Sequence, residues 1–256
     1  MKTIALLRAL AKQFPKRIKD HQDHVGLMTG KLLDDTDCVL ICLDFDEEVF
    51  SIVEGLEKKP DLILTHHPFI YGTKHRVFKE NEDKRVLCDK IDQLGIPVYS
   101  MHTNFDTGKG GMNDALTKAL KLKDVQPLQN NPMARGGLLP HEMTPEQFAL
   151  YAKKALRANS CSLIDAGTKV IRSAAIIGGG GWYCYRDAQM SGYDIFVSGD
   201  IPHHGRRDVI AKHYNYLDLP HEIERIFVPT MSKIIKSIDK SIEIIEVDHE
   251  KEPKRF

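Results

Sequence analysis

Residues 61–68 read Asp61-Leu62-Ile63-Leu64-Thr65-His66-His67-Pro68. A Pro60-Asp61 turn signal precedes a short apolar run and Pro68 stops any continuation of a ladder, so the stretch predicts a buried strand ending in two histidines. In an open α/β sheet, ligands bind along that edge, where the loops leave the strands. Neighbouring strand residues point to opposite faces. His66 and His67 therefore share one centre only if the chain twists on leaving the sheet; otherwise they serve two adjacent centres.

Working outward, Cys38 to Leu43 predicts another buried strand, and Asp44 to Leu56 a helix with Val49, Phe50, Val53 and Leu56 at helical spacing. Strand, helix, strand makes a βαβ unit and points to a mostly parallel sheet. Upstream, Thr3 to Phe14 reads as a helix with Ile4, Leu7, Leu10 and Ala11 on one side. Downstream, Glu80 to Leu94 reads as a helix and Ile96 to Met101 as a strand that delivers His102-Thr103-Asn104-Phe105-Asp106, before a helix from Met112 to Leu120. Residues 124–145 hold four prolines and Gly136-Gly137, and are expected to be a connection between halves. Thr144-Pro145-Glu146-Gln147 then opens a helix with a capping box.

Further strands are expected at 174–177, running into Gly178 to Gly181, and at 194–198. The tail predicts a helix over 222–238, kinked by Pro229, and a last strand over 241–247. An aspartate, an apolar strand and a His-His pair occur at Asp61 and again at Asp194, ahead of His203-His204. The repeat favours two related α/β halves, residues 1–125 and 126–256.

Lys plus Arg equals Asp plus Glu at 36 each, so no global field favours nucleic acid or a membrane surface, and a small molecule is the expected partner. Five scattered cysteines without a C-x-x-C pair argue for a reducing compartment. With no long apolar stretch, the expected location is the cytoplasm.

Candidate ligands lie on three segments: His66 and His67, Asp106, and the pair His221 and Glu224, whose i, i+3 spacing puts imidazole and carboxylate on one helical face. Glu222 is the solvated neighbour in this reading, although the alternation in His221-Glu222-Ile223-Glu224 leaves either carboxylate open, and His203-His204 remains an open alternative. Imidazole and carboxylate without thiolate suit zinc, iron, manganese or nickel. Five ligands exceed what one tetrahedral catalytic ion uses, whereas two divalent ions bridged by a carboxylate would use them all. His102, four residues before Asp106, is the expected proton shuttle, or else orients Asp106 by hydrogen bonding.

The segments Asp61 to Phe69, His102 to Asp106 with Gly110-Gly111-Met112-Asn113-Asp114, Ser198-Gly199-Asp200 and Asp218 to Glu224 together resemble the Ngg-interacting-factor-three-like family, whose members go by the name GTP cyclohydrolase I type 2 homologues. The resemblance implies a dinuclear metal site held by His66, His67, Asp106, His221 and Glu224 at the junction of two interlocked α/β halves with mixed, mostly parallel sheets. It also implies a homo-oligomer, commonly a ring-shaped hexamer, and a metal-activated water acting on a nucleotide such as GTP. Pro220 stands where the family usually has glycine. A metal-binding scaffold without catalysis and a metal-dependent phosphoesterase are the alternatives. Gly178 to Gly181 is read either as a phosphate cradle or as a plain turn.

Overall fold

In a computed structural model, which describes residues 1–254, the chain divides into two compact units. Its strands, in chain order, are β1 (Gly26–Thr29), β2 (Cys38–Cys42), β3 (Leu62–Thr65), β4 (Val98–Ser100), β5 (Lys123–Pro127), β6 (Arg135–Met143), β7 (Ser162–Asp165), β8 (Ile171–Ile176), β9 (Ile195–Ser198), β10 (Asn215–Asp218) and β11 (Glu243–Glu246). The first unit comprises Met1–Gly111 and Phe227–Glu250, the second Met112–Ile226 with residues 251–254. The chain leaves the first unit after Gly111, returns to it after Ile226 and leaves it again after Glu250. The cause of the second crossing is pairing: β11 lies parallel to β2, with Ile244 opposite Val39.

The sheet of the first unit runs β1-β4-β3-β2-β11 and is parallel apart from β1. Strands β2 and β3 are buried along their whole length, as expected of a parallel sheet covered on both faces. Helix Glu47–Gly55 follows β2, with the Asp46 carboxylate accepting from the Val49 amide as N-cap and Val49, Phe50 and Val53 buried. The helix expected over Glu80 to Leu94 is present as Glu82–Gln93, and a further helix, Lys74–Glu80, precedes it; Asn81 leaves helical geometry between them and caps the second through the Lys84 amide. The first helix, Thr3–Gln13, buries Leu6, Leu7 and Leu10, while Ile4 is 48% exposed, so its inward face differs from the expected one by rotation about the axis.

The sheet of the second unit runs β5-β6-β8-β9-β10-β7. Only β8, β9 and β10 are mutually parallel, so "mostly parallel" holds for the first sheet and not for this one. The stretch expected to be a connection is a strand pair, β5 and β6. Pro127 sits at the end of the edge strand and Pro140 within a register shift of β6, the two settings where a sheet tolerates a residue with no N–H. Gly136 marks close packing rather than a turn, since a side chain there would enter the Tyr193 ring. The Thr144 capping box forms as expected, with the Gln147 side chain accepting from the Thr144 amide at 2.9 Å.

The predicted tail helix breaks in two. A 3-10 segment, His221–Ile226, ends in the second unit, and helix Phe227–Ile238 belongs to the first. Pro229 falls in the first turn of that helix, where its missing N–H would have had no intrahelical partner, so it does not act as a kink.

Candidate metal centre

A shared local frame places the candidate residues. In the first unit Asp61 accepts from the amides of Asp37 and Cys38 at 2.8 and 2.9 Å, pinning the start of β2 against β3. In the second, Asp194 accepts from Arg172 and Ser173 at the same two distances, pinning β8 against β9. At the far ends, Met101 N donates to Thr65 O and Leu219 N donates to Ser198 O, holding the parallel exits of β3 with β4 and of β9 with β10. Six residues past the strand positions facing Thr65 and Ser198, namely Ser100 and Asp218, stand Asp106 and Glu224. Each lies in a short helical segment directly after its strand.

In the first unit the amides of His66 and His67 both turn to Leu43 O, at 3.1 and 3.0 Å, so the chain has left the ladder and the side chains need not alternate. The two rings lie 4.9 Å apart, with His102 at 5.1 and 5.6 Å from them. Asp106 Oδ1 is 3.5 Å from His66 Nε2, and both residues are buried. The nitrogens of His66, His67 and His102 are close enough to ligate a common ion. In the second unit His221 Nε2 is 3.0 Å from Glu224 Oε2, as the i, i+3 spacing predicts, and Glu224 is buried while Glu222 is not.

What the histidines share is how their other nitrogen is held. His66 Nδ1 donates to Met101 O at 2.9 Å; His67 Nδ1 pairs with Asp44 at 2.8 Å, His102 Nδ1 with Asp23 at 2.7 Å and His221 Nδ1 with Asp200 at 2.6 Å. An acceptor at Nδ1 fixes the proton there and turns the Nε2 lone pair outward, the arrangement metal-ligating histidines use. The donor set therefore fits a borderline divalent cation. Asp23, Asp44 and Asp200 are the residues that the residue-by-residue reading missed as holders of imidazoles. Asp200 stands in a quoted motif, and its φ of 57° is a left-handed value that aspartate tolerates better than most residues.

The Asp23 carboxyl is held low by its partners. Burial pushes its carboxyl up, but hydrogen bonds from His102 and Thr103, with the imidazole's charge, outweigh burial and hold it at about 2. The imidazole of His102 thus bonds Asp23, while the contact to Asp106 is through the His102 carbonyl, which accepts the Asp106 amide at 3.1 Å.

The glycine run after β8 makes room for ligands. A side chain at Gly179, whose φ is +63°, would come within 2.6 Å of Glu224 Oε1 and 3.1 Å of the His221 ring. The Gly178 amide is taken by Asn113 Oδ1 at 2.8 Å and the Gly181 amide by Ser198 Oγ at 3.0 Å, so those donors do not cradle a phosphate. His203 and His204 are exposed at the start of helix His203–Ala211, and His204 packs edge-on to Trp182 at 5.3 Å. They join no metal-ligating group among the described residues.

Among the described residues no helix is long and apolar enough to cross a membrane. The chain is 28% identical to the GTP cyclohydrolase 1 type 2 homolog of Clostridium perfringens over 264 residues, covering 100% of each, and 26% identical to that of Methanocaldococcus jannaschii, covering 97% of this chain and 100% of the other. Two crystal structures share the fold. A Staphylococcus aureus protein superposes with a TM-score of 0.86 at 25% identity, and a Bacillus cereus protein related to NIF3 with 0.88 at 19%, each over 100% of this chain and 99% of the other. The family model for Duf34/NIF3 (NGG1p interacting factor 3) matches residues 1–253, and the chain belongs to that family.

Proposed function

We propose that the chain is a metal-dependent hydrolase of a nucleotide-like small molecule, with two divalent ions held by His66, His67 and Asp106 of the first unit and His221 and Glu224 of the second. The observation that carries this reading is the common orientation of the imidazoles, each with Nδ1 occupied by an oxygen and Nε2 presented. Surface histidines have no need of such holders. Bound there, the ions would supply a water of lowered pKa and positive charge for the anion that forms.

The protein's own part is to aim the imidazoles and to handle the proton. Asp23 stays ionised at neutral pH and accepts from His102 Nδ1, which leaves Nε2 as the nitrogen that exchanges a proton with the reacting group. His102 therefore takes a proton at Nε2 and returns it to the leaving group. The names of the relatives suggest GTP as substrate, the family resemblance suggests a hexameric assembly, and the scattered cysteines suggest the cytoplasm.

The test is turnover by metal-loaded protein of GTP and a panel of phosphodiesters, with product identification. His102→Ala is expected to keep its metal and lose roughly 100-fold or more in rate. Loss of metal would make His102 a ligand, and absence of turnover in the wild type on every substrate would favour a metal-holding scaffold.

A further inference from the structure

Within the first unit, a cavity of about 490 Å³ opens beside the Asp23-His102 pair, and Asp23 forms part of its wall. Three lysines, Lys16, Lys19 and Lys74, line it as well. Lys19 Nζ donates to the carbonyls of Asp20 and His21, and Lys74 Nζ to the Thr29 hydroxyl at 2.9 Å. The Lys16 ammonium lies over Gly26, where the missing Cβ leaves space for it. Asp23, the acid in the wall, is committed to His102 and Thr103. The lining side chains, three ammoniums and one engaged carboxylate, carry an excess of about two positive charges, which Asp92, accepting from the Thr29 hydroxyl at 2.7 Å, offsets in part.

Some lysines of this chain pair with acids, as Lys58 does with Glu243 and Lys90 with Glu47. Lys19 and Lys74 are instead held by a pair of carbonyls and by a hydroxyl, which orients each ammonium without a carboxylate in direct contact. Compact ammoniums converging on one space suit the distributed charge of a phosphate chain, which offers several oxygens to point-charge donors. Met28 and Ile70 supply an apolar floor, and His24 lines the wall with its ring edge-on to Tyr71 at 5.2 Å, which leaves a flat surface for the remainder of a ligand.

We infer that this cavity binds the phosphate chain of a small-molecule ligand and so holds it beside His102. The inference deepens the proposed function and rests on its claim that the substrate is a nucleotide-like molecule, but the site itself belongs to the lysines and not to metal. The probe is inorganic tripolyphosphate, titrated calorimetrically into the full-length protein after chelation and dialysis, since divalent ions would bind the probe directly. Wild-type protein is expected to bind it with an affinity that falls as salt rises. Lys16→Ala and Lys19→Ala are each expected to weaken binding about 5-fold to 10-fold, and the double variant more, while Lys16→Arg with Lys19→Arg retains most of it. Both lysines sit in or beside the surface 3-10 turn Lys16–Ile18, and unchanged thermal melting would confirm that the variants fold.

Equal affinity in the wild type and the Lys16→Ala, Lys19→Ala double variant would overturn the inference, as would no binding by the wild type. The outcome is separable from that of the hydrolase reading. Purified protein that carries no metal but binds tripolyphosphate through these lysines would sink the hydrolase and leave this site standing.

Discussion

The exits of β3 and β9 share a backbone frame and differ in what it carries. After β3 come His66 and His67; at the matching places after β9, five and six residues past the pinning aspartate, come Gly199 and Asp200. On the neighbouring strand, the third residue past Ser100 is Thr103, and the third past Asp218 is His221. The acids coincide, Asp106 with Glu224. One frame thus brings its imidazoles from the inner strand, while the other brings its imidazole from the next strand and uses the inner position for Asp200, which holds that imidazole at 2.6 Å. Sterics agree, since a side chain at Gly199 would approach Leu219 O at 2.9 Å. Equal backbones therefore do not mean equal donors, and substitutions at matched positions measure how far the two exits have diverged.

The largest effects are expected at the matched acids. Asp106→Ala and Glu224→Ala should each lower metal affinity by more than about 100-fold, beyond what loss of an outer partner costs, as read by elemental analysis after dialysis. Next come the holders. Asp44→Asn and Asp200→Asn should each weaken metal binding roughly 10-fold to 100-fold, because the amide no longer fixes the imidazole tautomer with a charge. A loss in Asp200→Asn alone would show that only the second exit relies on a carboxylate-held imidazole. Gly179→Ala should destabilise the fold by about 1–3 kcal/mol through its positive φ and displace Glu224, lowering both melting temperature and metal content.

A smaller effect is expected from pH. The Asp23 carboxyl is lowered from 3.8 to about 2 in the folded chain, so its contribution of roughly 2 kcal/mol is fully present above pH 3.8 and lost as pH falls through about 2. Asp23→Asn should flatten that part of the stability curve in acid denaturation monitored by circular dichroism. Thr144→Ala, which removes a helix cap remote from either exit in sequence, should cost only about 1 kcal/mol and leave metal content unchanged.

The β3 exit was legible because a buried strand is a contiguous apolar run and His66-His67 interrupts it without ambiguity. The i, i+3 reach of His221 and Glu224 was equally local. What escaped was non-local. Asp23, Asp44 and Asp200 look like any other acid until folding sets them against imidazoles up to 79 residues away. Strands β5 and β6 were hidden by Pro127, Pro140 and the glycines, whose tolerance depends on an edge, a register shift and the Tyr193 ring. The crossing at Ile226 reflects the pairing of β11 with β2, strands some 200 residues apart in register, which no spacing rule within the tail could disclose.

Anomalous X-ray scattering from crystals of the metal-loaded protein tests the central claim most directly. Two peaks are expected, one against His66 and Asp106 and the other against His221 and Glu224. A single peak away from these side chains, or none in protein soaked with zinc or manganese, would contradict it.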